Sequence, residues 1–208
     1  MRFLPCGDRA VLVECDSQSA VLGLHGALAA SRPPGIIELV PAARTVLVVV
    51  KPRVIALETT RTWIERAAQG GTPERRADAG SPVVVIDTVY DGDDLAPLAD
   101  ILGVSAREIV ERHTAAEWDV AFSGFAPGFA YLVSADWPFD VPRLDSPRTR
   151  VPRGSVALAA DFSGVYPRES PGGWQLIGRT DAELWNDTAD PPALLVPGGR
   201  VRFREVAP

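Results

Sequence analysis

From Trp118 to the end of the chain, apolar segments are short, and glycine or proline cuts each one off. Residues 118–122, 130–133, 155–160, 173–177, 193–196 and 200–206 read as strands. The turn Val196-Pro-Gly-Gly-Arg200 between the last two is a hairpin signal. Short strands punctuated in this way fold as a β-barrel or sandwich, and antiparallel pairing leaves their loops at the rims.

Two of those loops are not ordinary connections. Phe122-Ser-Gly-Phe-Ala-Pro-Gly-Phe-Ala-Tyr-Leu132 and Ser170-Pro-Gly-Gly-Trp-Gln-Leu-Ile-Gly-Arg-Thr180 set glycine and proline directly beside large aromatics. Glycine lets a backbone approach a ligand closely, and proline stiffens the loop before anything binds. Between them, Pro147-Arg-Thr-Arg-Val-Pro-Arg-Gly-Ser155 carries Arg148, Arg150 and Arg153 on a proline-stiffened segment. Together these runs predict a shallow aromatic pocket with guanidinium groups at its mouth.

The first seventy residues read differently. Residues 2–6 and 10–14 form two short strands around a Gly7-Asp8 turn, and Asp16 or Ser17 caps a helix to about Ala30 with Val21, Leu24 and Leu28 on one face. Residues 36–40 and 45–50 are β-branched, apolar strands, and a second helix runs from Val54 to about Ala68 with Leu57, Ile64 and Ala68 inward. The order ββαββα predicts a ferredoxin-like α+β sandwich with both helices on one face. Residues 69–82, rich in Gly, Pro and charge, read as a linker. The expected domains are therefore 1–80 and 81–208.

Scarcity narrows the chemistry. Lys51 is the only lysine and His25 and His113 are the only histidines, so a lysine-dependent phosphate loop and a His/Cys zinc cluster are both excluded. No GxSxG elbow is present. Cys6 and Cys15 are expected to be free thiols. No apolar run reaches eighteen residues and the N-terminus is too polar for a signal peptide, so the expected location is the cytoplasm, with no membrane contact.

Residues 95–113 mimic a DNA-binding helix-turn-helix, with a Gly103 turn and a Ser105-x-x-Glu108 capping box. Glu108 and Glu111 lie on the supposed recognition helix, and the chain carries a net charge of -6. Phosphate neutralisation drives DNA affinity, so nucleic acid is not an expected partner. A helical pair covering the sheet is the expected role.

The runs Gly124-Phe-Ala-Pro-Gly-Phe-Ala-Tyr-Leu132, 147–155, Gly164-Val-Tyr-Pro167 and 170–180 resemble the family of the 5-oxoprolinase B component (PxpB). The same family is called allophanate hydrolase subunit 1 and includes the sporulation kinase inhibitor KipI. Gly7-Asp8-Arg-Ala10 and Val196-Pro-Gly-Gly-Arg-Val-Arg-Phe203 fit as well, so the resemblance spans essentially the whole chain. It implies an N-terminal α+β domain followed by a cyclophilin-like β-barrel. It also implies a hetero-oligomer with a C component, related to allophanate hydrolase subunit 2, and with an A component. Together these carry out ATP-dependent opening of 5-oxoproline to glutamate. ATP would then be handled on another chain, with no cofactor bound by this one. An allophanate- or urea-handling role and a KipI-like kinase-regulator role are the alternatives. The sequence departs from the family at Ala130, where proline is usual, at Phe162, where glutamine is common, and in the glycine-poorer Tyr90-Asp-Gly-Asp-Asp-Leu run.

The substrate-binding residues are expected in these motifs: Phe125, Pro127, Gly128, Phe129, Arg148, Ser155, Tyr166, Ser170, Gly172, Gly173, Trp174 and Gln175. Arg153 and Arg179 are the catalytic candidates, stabilising negative charge that develops on the substrate; like Arg148 they either hold a carboxylate or phosphate, or sit on a solvated rim or in intersubunit salt bridges. Gly172-Gly173 either presents backbone N–H groups to an anion or makes a tight turn. Phe125, Phe129 and Tyr131 either wall the pocket, dock a partner or fill the barrel. His113 is either a general base or a favourable charge at a helix C-terminus, with Asp119 and Glu117 as other candidates.

Overall fold

A computed structural model of the chain describes residues 1–70 and 83–208. The linker expected over 69–82 lies outside the described residues except for Gln69, which ends a helix, and Gly70, which caps it. The chain divides into two compact units, Met1–Arg76 and Ala77–Pro208.

In the first unit, strands β1 (Arg2–Cys6) and β2 (Ala10–Glu14) precede helix α1 (Gln18–Ala30). Strands β3 (Ile36–Pro41) and β4 (Thr45–Val50) follow, then helix α2 (Leu57–Gln69). All pairings are antiparallel in the order β1-β2-β4-β3. This is the ferredoxin-like arrangement with one edge strand moved to the front of the sequence. Period-two alternation decides the faces: Val46, Val48 and Val50 are fully buried while Thr45, Leu47 and Val49 are half-buried. Val21, Leu24 and Leu28 of α1 and Ile64 of α2 complete the core. Ser17 caps α1, its hydroxyl accepting from the Ala20 amide at 3.2 Å.

Helix α2 starts at Leu57, not Val54, because the Val54 and Ile55 amides are taken by the Lys51 carbonyl in a turn. Its inner stripe is Leu57, Thr60, Ile64 and Ala67; Ala68, expected inside, is one position off that face.

The second unit opens with β5 (Val83–Thr88) and the helical pair α3 (Leu95–Leu102) and α4 (Ala106–Ala115). The strands β6 (Trp118–Ser123), β7 (Ala130–Val133), β8 (Arg148–Val151), β9 (Ser155–Ala159), β10 (Phe162–Val165), β11 (Ser170–Gly172), β12 (Gln175–Arg179) and β13 (Arg200–Glu205) follow. Six of these strands and β5 form one sheet in the order β12-β9-β10-β7-β6-β13-β5. Its two ends meet through Val89 and Arg179, whose amides and carbonyls exchange hydrogen bonds of 2.8 and 2.9 Å, so the sheet curls into a barrel.

The pairing is not wholly antiparallel, as the short strands suggested. β13 runs parallel to β5, which is possible because nearly the whole unit lies between them as the crossover. Residues 193–196 do not form a ladder strand; Ala193 makes a single bridge to Trp185 while Leu195 is buried in the core. Strands β8, β10 and β11 were not expected, and β8 pairs only with β11.

Gly103 ends α3 in the left-handed region (φ 69), and the Ser105 hydroxyl accepts from the Glu108 amide at 3.0 Å to start α4. The pair packs on β12 and β13, with Ile109, Val110 and His113 inward. Its outer charges are engaged: Arg107 bonds Glu111 and Glu205, and Arg112 bonds Glu108. The helix-turn-helix pattern is thus a cover for the barrel.

Both faces of β9 are buried, and this positions the site. Val156 and Leu158 belong to the main core with Trp118, Leu132, Ile177 and Phe203. Ala157 and Ala159 belong to a second cluster on the opposite face, with Phe129, Tyr166 and Trp174. On that face small residues make room for large rings. A methyl group on Gly164 would sit only 3.0 Å from Phe129 and 3.1 Å from Trp174.

Candidate functional site

The aromatic-rich loop between β6 and β7 closes on itself. The Gly124 amide donates to the Phe129 carbonyl at 3.2 Å, and the Phe129 amide to the Ala126 carbonyl at 3.0 Å. Phe125 has φ 68, a conformation costly for a residue with a bulky side chain. It holds the ring out, 58% exposed, edge-on to Phe129 at 5.3 Å and to Tyr166 at 6.1 Å. Gly128 (φ 83) supplies the reverse bend, lying against Leu184 and Trp185 where a side chain would collide.

The second loop meets it from β11. Gly172 passes so close to Tyr166 that a methyl group there would lie 2.3 Å from the phenolic oxygen. Burial raises the Tyr166 pKa, as it raises that of Tyr131, although the nearby Trp174 backbone works against it. Both phenols therefore stay protonated at neutral pH. Phe129 stands edge-on to Tyr131, Tyr166 and Trp174 at 5.1, 5.4 and 5.5 Å. The result is a pocket of about 160 Å³ lined by Phe125, Phe129, Tyr131, Tyr166 and Trp174, the Gly172–Gly173 backbone and Arg143.

The structure thus brings together six of the expected site residues: Phe125, Phe129, Tyr166, Gly172, Gly173 and Trp174. Phe129 lies beneath the pocket on the sheet's outer face and not in the main barrel core.

The arginines do not gather at one mouth. Arg148 is held by Asp94 at 2.6 Å, whose other oxygen accepts from the Leu176 amide at 2.7 Å. Arg179 pairs with Asp91 at 2.9 Å and lines a separate groove with Asp87, Val89 and Asp181. Arg153 and Pro127 line another hollow of about 360 Å³, with Arg168, Glu183 and Trp185. A pairing carboxylate from elsewhere in the chain fixes Arg148 and Arg179 where they are.

Three further expectations are corrected. The Ser155 hydroxyl is spent on the Pro152 carbonyl at 2.9 Å. The Gln175 side chain is buried and donates to the Pro142 carbonyl at 2.9 Å. His113 is completely buried, so it is no general base for a bound substrate. Its Nδ1 lies 2.7 Å from the Tyr90 hydroxyl and its Nε2 2.8 Å from the Ser163 hydroxyl, with Phe203, Trp118 and Trp137 around the ring. Burial lowers its pKa to about 3, so it is neutral and carries no charge to the helix end. Ser170 keeps a buried hydroxyl with no hydrogen-bond partner and lies outside the aromatic pocket. Of the other base candidates, Glu117 pairs with Arg202 at 2.6 Å, and burial raises the pKa of Asp119.

Arg143 was not expected. It follows Pro142 just ahead of the arginine run, and nothing in its spacing marks it as the arginine that reaches the pocket. Among the described residues no group of three or more His, Cys, Asp or Glu side chains is placed to hold a metal ion. None of the described helices is long and apolar enough to cross a membrane.

Residues 1–195 match the family described as carboxyltransferase domain, subdomain C and D. The chain is 38% identical to the 5-oxoprolinase B component of Escherichia coli O157:H7 over 174 residues, covering 82% of this chain and 78% of that one. It is 34% identical to the 5-oxoprolinase B component of Bacillus subtilis (strain 168) over 218 residues, covering 97% and 91%. The solved structure of TTHA0988 is similar with a TM-score of 0.75 and 32% identity. That match covers 96% of this chain but 40% of the other, so this chain spans well under half of that longer one. The urea amidolyase of K. lactis shares the fold, with a TM-score of 0.79 at 20% identity over 99% of this chain and 15% of that one.

Proposed function

The chain belongs to the 5-oxoprolinase B-component family, the carboxyltransferase subdomain C and D family, and from that membership we propose that it is the B component of an ATP-dependent 5-oxoprolinase. The observation that carries this is the 34% identity to a protein of that name across 97% of this chain and 91% of the other. The complex opens 5-oxo-L-proline to L-glutamate, with this chain acting beside a C component and an A component. Another chain handles ATP.

The aromatic pocket is where this component meets the lactam. Its five rings offer flat apolar walls, and the two protonated phenols offer O–H donors. The Gly172–Gly173 backbone supplies N–H groups for negative charge developing on the lactam oxygen. Preorganisation comes from the strained Phe125 and the closed 124–129 loop, which set the walls before binding.

Co-expression with the companion components, purification and an assay for ATP-dependent glutamate release test the proposal. Turnover requiring all chains supports it. A stable complex without turnover of 5-oxoproline redirects it to urea-derived substrates, and failure to bind any C component to a kinase-regulator role.

A further inference from the structure

We propose that Arg143 is the residue through which the aromatic pocket selects a substrate carrying a carboxylate, an inference that rests on the lactam-site reading above. The arginines of the neighbouring motifs are largely neutralised, Arg148 by Asp94 at 2.6 Å, Arg150 by Glu169 at 2.6 Å and Arg179 by Asp91 at 2.9 Å, while Arg153 and Arg168 line a different hollow. Arg143 lines the pocket itself and, among the described residues, has no ion pair or hydrogen bond. Its charge reaches the interior, since it draws down the pKa values of both Tyr131 and Tyr166 against the effect of burial.

The lining fixes the class of ligand. A box of aromatic faces by itself attracts cations. Here a guanidinium stands at the box and no acidic side chain lines it, so a cation is disfavoured and an anion favoured. At about 160 Å³ the pocket holds the liquid volume of about five waters at ~30 Å³ each, well below the roughly 300–1,000 Å³ of drug-sized sites. What fits is a small, flat, uncharged ring bearing one carboxylate, with the ring against the aromatics and the carboxylate on the guanidinium fork. The product's additional carboxylate and ammonium groups would be poorly suited to the same apolar walls.

The test is steady-state kinetics of the assembled complex on 5-oxoproline and on 2-pyrrolidinone, the same lactam without its carboxylate. Wild type is compared with Arg143→Ala, Arg143→Lys and, as a pocket control, Phe125→Ala. Arg143 and Phe125 are both exposed, so these substitutions leave the fold intact. The expected result is that Arg143→Ala raises KM for 5-oxoproline by about 10–100-fold, the range of one charge-assisted hydrogen bond, with kcat within about threefold. Arg143→Lys recovers part of the loss, and the preference for 5-oxoproline over 2-pyrrolidinone narrows in Arg143→Ala. If Phe125→Ala impairs turnover while Arg143→Ala matches wild type, the pocket stands and the role of Arg143 is overturned. If neither substitution has an effect, the pocket is not the lactam site and both ideas fall. A complex inactive on 5-oxoproline overturns the functional proposal and this inference with it.

Discussion

Gly172 has no room for a side chain, and the chain depends on that at the pocket. A methyl group would meet the Tyr166 hydroxyl at 2.3 Å, and Tyr166 is buried, so its ring cannot swing away without disturbing Phe129 and Trp174. Gly172→Ala is expected to cost about 1–3 kcal/mol by overpacking and to lower turnover more than tenfold, as read by denaturant titration and the glutamate assay. Arg148 is bound in a different way. Its carboxylate partner Asp94 is almost fully buried and also caps the Leu176 amide. Asp94→Ala leaves an amide and a guanidinium without their acceptor, and a loss of about 2–4 kcal/mol is expected in thermal or urea unfolding. The aromatic and glycine members of the pocket were legible in the sequence because their type and crowding imply packed rings and close backbones. The arginines were not. A guanidinium is neutralised by whichever carboxylate the fold delivers, and Asp94 and Asp91 come from 54 and 88 residues away.

Among the elements, the strands that announced themselves are those with β-branched, alternating residues, such as β4 with its valines. Strands β8 and β11 carry Arg, Thr, Pro and Gly, and they find only each other, so no apolar face imprints a period on them. Strand β10 hides for another reason: Gly164 sits in it because the aromatic cluster leaves no space there. The segment 193–196 misleads in the opposite sense, since its apolar residues fill the core without joining a ladder. Capping signals read well. The Ser105 hydroxyl satisfies the first turn of α4, and Ser105→Ala is expected to cost about 1 kcal/mol, seen as a lowered urea midpoint with an unchanged m-value. Because α4 lies on β13 with its charges already paired outward, that substitution should weaken the barrel cover and leave substrate KM untouched.

At the scale of the molecule, the buried Tyr90–His113–Ser163 chain ties stability to pH. His113 is neutral in the fold with a pKa lowered to about 3, against 6.5 when unfolded, because burial disfavours its charged form. The unfolded chain therefore takes up a proton below pH 6.5 that the folded chain refuses. Stability from this group is complete above pH 6.5 and declines as pH falls from 6.5 towards 3, with a slope approaching about 1.4 kcal/mol per pH unit. Between pH 7 and pH 5 the expected loss is about 2 kcal/mol, measurable by urea unfolding at the two pH values. A flat profile over that range would show that His113 protonates without opening the core. The same burial removes the one histidine near the motifs from catalysis. The proposed function asks no general base of it, because there the ATP chemistry lies on companion chains.

The most direct test is ATP-dependent release of glutamate from 5-oxoproline by this chain purified with its companion components, with each chain omitted in turn. Turnover that requires this chain, and that falls sharply with Gly172→Ala, is the expected result. Full turnover in its absence, or a complete complex inert towards 5-oxoproline, would contradict its assignment as the component that meets the lactam.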